Sequence, residues 1–357
     1  MKVKEFFAAS NSYTGFVSYF DVVFNPKSYE KIFILKGGPG TGKSHFMKSA
    51  IAAFENEKVE TESILCSSDP ASLDGVILGK DDKKIAIIDG TAPHSTDPIY
   101  PGAVEKIINL GDSWNETLLK SHRTQIESIN DKKTMHYKNA YRYLSLAGKH
   151  VEYVDEIMNS LIQNFSSDIL NELFSKAKSE EGKTTIRLTS AFGKNGFYEL
   201  EGIGRLAESE IGVVGIYGTE YHFMKNLMQK AIDSRINVTF SPSPLDKRKT
   251  DAILFDSLRT SVSVGNKNYT GKAKIIDTSR YINVKKLEEN KNSLETLYKE
   301  REAMLWCATD EFKKASDAHF ELEKIYTAAM NFKKNKKLFE KVRSEITEIL
   351  FPNGAEE

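Results

Sequence analysis

The stretch Lys31-Ile-Phe-Ile-Leu-Lys-Gly-Gly-Pro-Gly-Thr-Gly-Lys-Ser-His-Phe-Met-Lys48 constrains this chain more than any other. Residues Gly37 to Ser44 read GGPGTGKS and fit the spacing G-x-x-x-x-G-K-[ST]. Ile32 to Leu35 form a short apolar run, the pattern of a buried strand. After Ser44, apolar residues recur at Phe46, Met47, Ala50, Ile51 and Phe54, the spacing of one helix face. Strand, glycine turn and helix start together make an anion cradle. Glycines let backbone N–H groups wrap phosphate oxygens, and the helix N-terminus adds partial positive charge. A glycine-rich turn with an accidental lysine would need neither flank. Gly37, Gly38, Pro39, Gly40, Thr41, Gly42, Lys43, Ser44 and His45 are therefore expected to contact a nucleoside phosphate, with ATP and Mg²⁺ as ligands. Lys43 would reach the β- and γ-phosphates, and the Ser44 hydroxyl would ligate the metal.

Lys83-Lys-Ile-Ala-Ile-Ile-Asp89 supplies the second anchor, an apolar strand ending in an acid. Acids at the C-terminal ends of strands lie where doubly wound sheets gather ligands, so Asp89 is expected to hold Mg²⁺ beside Ser44 and, with Lys43, to serve catalysis. Gly90 follows Asp89, leaving no adjacent glutamate to polarise water. Glu62, Asp69, His94 and Asp97 are substitutes that the fold could bring close, the last two in a loop with three prolines from Gly90 to Gly102. No arginine precedes Arg123. A charge-stabilising arginine, worth ~10³ or more in rate, would have to come from Arg123, Arg142, Arg187, Arg205, Arg259 or another chain. Slow basal turnover is the consequence.

Lysine plus arginine and aspartate plus glutamate both number 50, a formal net charge of zero that argues against a protein built to coat nucleic acid. Cys66 and Cys307 are the only cysteines and form no C-x-x-C pair, which fits a reducing cytoplasm. The first ten residues have too short an apolar run for a signal peptide, and no stretch approaches a membrane span. The expectation is a soluble, cytoplasmic protein with no membrane partner.

At 357 residues there is room for two cores, and the second half reads as a worn copy of the first. Gly40-Thr-Gly-Lys-Ser-His-Phe-Met-Lys48 becomes Gly218-Thr-Glu-Tyr-His-Phe-Met-Lys225, one residue shorter. Asp74 to Leu78 is echoed by Asp251 to Phe255, Lys106 to Asn109 by Lys274 to Asp277, and Gly15-Phe16 by Gly196-Phe197. Aligning Arg259 to Asn266 with Lys83 to Gly90 sets Gly265 opposite Asp89. The copy has Glu220-Tyr221 where Gly-Lys should be, so its phosphate and metal anchors are lost together. The fold expected is α/β: two P-loop NTPase-like cores, mainly parallel and three-layered, each followed by a helical segment. The expected active domain is 1–182 (core 1–112, helices 113–182). The degenerate one is 183–357 (core 183–282, helices 283–357).

The combination FILKGGPGTGKS, CSSDPASLDGV, IIDGTAPH and PGAVEKIINLGD resembles an uncharacterised bacterial family of tandem P-loop ATPases, some of them called nucleotide-kinase-like. The resemblance spans both halves, with its motifs concentrated in residues 31 to 112. It implies two P-loop cores in one chain and names no substrate. This chain departs from members in which the second loop is intact.

Three functions follow from these residues. The first is a slow ATPase with one N-terminal site, acting as a switch or machine component. The second is a small-molecule or nucleotide kinase, with Asp69 and the 90–102 loop gripping an acceptor. The third is a scaffold that binds ATP without turning it over. The helical segments read more readily as solvated hairpins than as a partner surface. Lys333, Lys334, Lys336 and Lys337 are the clearest basic cluster for a partner or nucleic-acid surface.

Overall fold

The computed structural model describes residues 4–163, 165, 168–200, 202–265 and 274–352. In chain order the first half begins with β1 (Lys4–Phe7), the paired strands β2 (Ala9–Ser12) and β3 (Gly15–Ser18), and the single turn α1 (Phe20–Val23). It continues through β4 (Lys31–Lys36), α2 (Lys43–Phe54), β5 (Glu60–Leu65), β6 (Leu73–Lys80), β7 (Lys83–Asp89) and β8 (Glu105–Asn109). Helices α3 (Glu116–Ser121), α4 (Arg123–Asn159) and α5 (Asp168–Lys176) follow. The second half runs β9 (Thr184–Ile186), the hairpin β10 (Ser190–Gly193) and β11 (Gly196–Glu199), β12 (Ser209–Val214) and α6 (Thr219–Asp233). Then come β13 (Val238–Pro242), β14 (Thr250–Phe255), β15 (Thr260–Val264), β16 (Lys274–Asp277), α7 (Val284–Ala328) and α8 (Phe332–Leu350).

Six strands of the first half form one sheet in the order β1-β5-β6-β7-β4-β8. β4 lies between β7 and β8 and is parallel to both. Ile32, Phe33, Ile34 and Leu35 are at most 1% exposed, which explains why this run is continuously apolar rather than alternating. The pairs β1–β5, β7–β4 and β4–β8 are parallel and keep the sheet mainly parallel as expected, but β6 is antiparallel to β5 and to β7, so the sheet is mixed. The cause is local. Only Asp81 and Asp82 separate β6 from β7, a link too short for the crossover that parallel strands require.

The second sheet has the order β16-β12-β15-β14-β13-β9. β12 is parallel to β15 and β16, β14 is antiparallel to its two neighbours, and β9 runs parallel to β13 as β1 does to β5. The two sheets therefore share one strand order and one set of directions. Their exits repeat as well. The Asn109 and Asp277 side chains each accept from the backbone N–H two residues on, and Asn115 and Asn283 each accept from the third.

The chain separates into two compact units, and they do not follow a cut between residues 182 and 183. The first unit comprises Met1–Ala9, Ser18–Asn139 and Asp310–Glu357, and the second comprises Ser10–Val17 and Ala140–Thr309. Apolar packing explains the assignment. In the first unit Ala318 and Leu322 of α7 are buried with Ile129. In the second, Val154, Met158 and Leu161 are buried with Ile282 and Leu294. Helix α8 buries Asn335, Val342, Ile346 and Leu350 and leaves Lys333, Lys334, Lys336 and Lys337 exposed. Among the described residues no helix is long and apolar enough to cross a membrane.

Candidate functional site

The loop from Gly37 to Gly42 joins β4 to α2 as the motif requires. Gly40 and Gly42 have φ of +67° and +87°, the left-handed region that glycine enters without strain. Gly42 caps α2. The buried Thr41 donates its hydroxyl to the Gly38 carbonyl at 2.9 Å, and the Lys43 ammonium donates to the carbonyls of Gly37 (2.8 Å) and Gly38 (3.0 Å). Pro39 is half-buried, and His45 is exposed on the first turn of α2.

Asp89 ends β7, the strand beside β4, with Leu35 and Asp89 paired in register. Its Oδ2 lies 3.6 Å from Lys43 Nζ. Oδ1 accepts from the Thr91 hydroxyl and N–H at 2.5 and 2.9 Å. Burial raises the Asp89 pKa, opposed by the Lys43 charge and the Thr91 bonds. The sign follows. A carboxyl with a raised folded pKa favours the folded state when protonated, and that contribution is lost as pH rises through the folded pKa. Asp89→Asn should therefore melt higher than the parent at pH 7 and lack this part of the pH slope above about pH 4. Melting curves across pH check it. A variant that melts lower throughout contradicts it.

Ser44, expected to face a metal, accepts from the Leu73 N–H at 3.0 Å and so ties α2 to β6. The remaining candidates divide. His94 and Asp74 are buried 3.1 Å apart, and His94 stacks on Phe20 at 4.2 Å, so His94 belongs to the core. Asp97 is exposed and lies 3.4 Å from Lys36. Asp69 is 3.5 Å from the Ser72 hydroxyl, and Glu62 sits within β5. The first unit contains Arg123 and Arg343, each exposed and paired on its own helix with Glu127 (2.7 Å) and Glu340 (3.5 Å). Arg142, Arg187, Arg205 and Arg259 fall in the second unit.

Residues distant in sequence complete the loop's surroundings. A Cβ built on Gly40 would lie 2.6 Å from Thr327 Oγ1 and 2.7 Å from the Glu323 carbonyl. Asn335 donates to the Thr41 carbonyl at 2.8 Å, and the Phe332 ring is 3.4 Å from the Cβ position of Gly42. The Trp114 ring lies 3.4 Å from that of Gly38 and packs on Tyr326. The Glu323 carboxyl is held below its usual range, first by His319 and also by the Gly40 N–H and the Lys43 charge. A backbone clasp holds this helix end, with Asn115 N–H donating to Ala329 and Asn331 N–H to Ser113. None of these residues carries a local sequence signal. The one general clue is the helix break before Phe332, where a turn can meet a loop.

The corresponding place in the second unit has changed throughout. Three residues separate β12 from the cap Gly218, where five separate β4 from Gly42. Since HFMK is one residue closer to its strand, α6 has gained a residue at its start and the loop has lost two. Val213 pairs with Val264 as Leu35 pairs with Asp89, and the N–H groups of Gly90 and Gly265 each donate at 3.0 Å to the equivalent carbonyls of Leu35 and Val213. Val264, not Gly265, therefore stands at the position of Asp89, and Gly265 matches Gly90. Asn266 lies outside the described residues. Glu220 Oε2 is 2.7 Å from a Cβ built on Gly215, so the carboxylate folds over the short loop.

Comparison with protein-family models, curated proteins and solved structures returns no match for this chain. Among the described residues no group of three or more His, Cys, Asp or Glu is placed to hold a metal. Ser44 and Asp89 are a sparser pair than that.

Proposed function

We propose that this protein binds ATP with Mg²⁺ once per chain, at Gly37 to Ser44, and hydrolyses it slowly as a cytoplasmic tandem P-loop ATPase. The observation that carries the reading is the approach of Lys43, at the head of α2, to Asp89, at the end of the next strand, both largely buried. Two orphaned atoms support the fit to a nucleotide. Trp114 Nε1 and Asn335 Oδ1 are buried beside the loop with no hydrogen-bond partner, and such atoms call for a ligand or water. Lys43 and the loop N–H groups would hold the phosphates, while Ser44 and Asp89 would hold Mg²⁺. The metal supplies charge neutralisation at the phosphate oxygens when bound.

Two features favour slow turnover. Gly90 follows Asp89 where a water-polarising glutamate would stand, and the described arginines of the first unit are spent on their own helices. Isothermal titration should find one ATP–Mg²⁺ per chain. Product analysis should find free phosphate without an added acceptor. Two equal sites overturn the single-site reading. Phosphate appearing on an added nucleoside or metabolite makes the protein a kinase, and unchanged bound ATP makes it a scaffold.

The helix end at the loop adds a further expectation. Glu323 brings a carboxylate to the Gly40 N–H, where it competes with phosphate oxygens and repels them. Glu323→Gln should tighten ATP binding by roughly threefold to tenfold, or about 0.7–1.4 kcal/mol. Titration at two salt concentrations checks it, because a charge effect shrinks as salt rises. Unchanged or weaker binding means that Glu323 does not oppose the nucleotide.

A further inference from the structure

The second unit has lost every phosphate anchor, yet it keeps a cleft of about 230 Å³ beside the shortened loop. A site that had merely decayed would be expected to close with apolar side chains, since buried charge and unsatisfied polar atoms cost free energy. This one has been rebuilt. Tyr217 stands in the loop with a φ of +53°. Holding a tyrosine in this left-handed conformation costs free energy, and such strain persists where the surroundings demand it. Its ring meets Tyr298 edge-on at 5.3 Å, and both line the cleft with Tyr13 and Tyr221. Val264 provides an apolar patch where the first unit has its acid.

The polar groups are new as well. Lys249 enters from the β13–β14 turn, 2.9 Å from Asp155 and over the Tyr221 ring. Arg301 of α7 stacks over Tyr298 at 5.3 Å, and its Nε is buried with no hydrogen-bond partner. A guanidinium N–H can only donate, so the missing partner is an acceptor.

We propose that this cleft binds a nucleoside or free nucleobase, without phosphates, as a second ligand of the chain. A flat heterocycle suits walls made of tyrosine rings. A ring carbonyl or ring nitrogen is the acceptor that Arg301 Nε lacks. Carboxylates of Asp155, Glu199, Asp246 and Asp251 among the described lining residues outnumber Lys249 and Arg301. Their summed negative charge opposes a polyphosphate. Glu220 reinforces that exclusion, since its carboxylate already lies over the loop where an anion would sit. The volume is below the roughly 300–1,000 Å³ of drug-sized pockets, and therefore suits one ring system with at most a sugar. The proposal does not depend on turnover in the first unit.

The test uses the full chain with saturating ATP–Mg²⁺ present, so that the first unit is occupied. Adenosine, guanosine, cytidine and uridine, with their free bases, are titrated and observed by saturation-transfer NMR. One or more should bind, and Tyr217→Gly and Arg301→Gln should each weaken that binding at least tenfold. Arg301→Lys should recover part of the loss, which a purely structural role would not predict. Tyr217→Gly removes backbone strain, so a stable fold is expected even if Arg301→Gln unfolds. Absence of binding to the parent, equal binding to Tyr217→Gly, or displacement by further ATP would each overturn the proposal.

Discussion

Replacing Lys43 by Ala is expected to reduce ATP turnover by a factor of about 10² or more and to remove measurable ATP binding. Lys43 is the only cation held against both the loop and Asp89 among the described contacts. Its loss removes charge-assisted bonds to phosphate and leaves Asp89 as an unopposed negative charge facing an anionic ligand. The fold should persist, because Lys43 bonds loop carbonyls and does not fill the core. Circular dichroism and melting curves provide that control, and single-turnover phosphate release provides the measurement. Tyr221→Ala, in the second unit, should leave ATP affinity nearly unchanged. Parental hydrolysis by Lys43→Ala would remove the phosphate-loop reading altogether.

The second large effect is expected at Gly40. A valine there must adopt a left-handed backbone at φ +67°, costing about 1–2 kcal/mol. It must also push against the Glu323 carbonyl and the Thr327 N–H, both backbone atoms, at 2.7 and 3.1 Å from the Cβ position. Overpacking of this kind costs typically 1–3 kcal/mol. Gly40→Val should therefore lose about 2–5 kcal/mol in denaturant unfolding, with new proteolytic cleavage between residues 310 and 350. Gly102→Ala is the control, with φ +80° but open space around its Cβ. It should lose only about 1 kcal/mol and gain no cleavage. Equal losses would show that backbone strain, not the helix contact, sets the effect.

Much of the first core was legible because its signals are local. Ile32 to Leu35, the glycines and the Phe46–Met47–Ala50–Phe54 face declare a strand, a turn and a helix within one window, and Asp89 declares itself at a strand end. The echo of HFMK exposed the duplication, and the shared strand order agrees with it. Register was not legible to one residue. Residue spacing sets Gly265 against Asp89 because it cannot show which backbone groups pair, whereas the Gly265 N–H bond to Val213 identifies the match as Gly90. The partners of the loop were hidden for a different reason. Glu323, Thr327 and Asn335 act singly, from within long helices whose periodicity reports only a buried face. Ser44 illustrates the reverse limit, since a motif names a ligand-binding hydroxyl but not its bond to Leu73.

The bond from Asn335 to Thr41 spans 294 positions of sequence, and that separation has a consequence during synthesis. A ribosome adding roughly 5–20 residues per second needs about 15–60 s after making Thr41 before Asn335 exists. Throughout that interval the glycine loop has been translated but lacks the residues that brace it. A chain that stalls before residue 323 would thus carry the glycine loop without Glu323, Thr327 or Asn335 against it. Braced loops would then mark only chains translated past this helix end, and nascent or interrupted ones should differ from them in nucleotide capture.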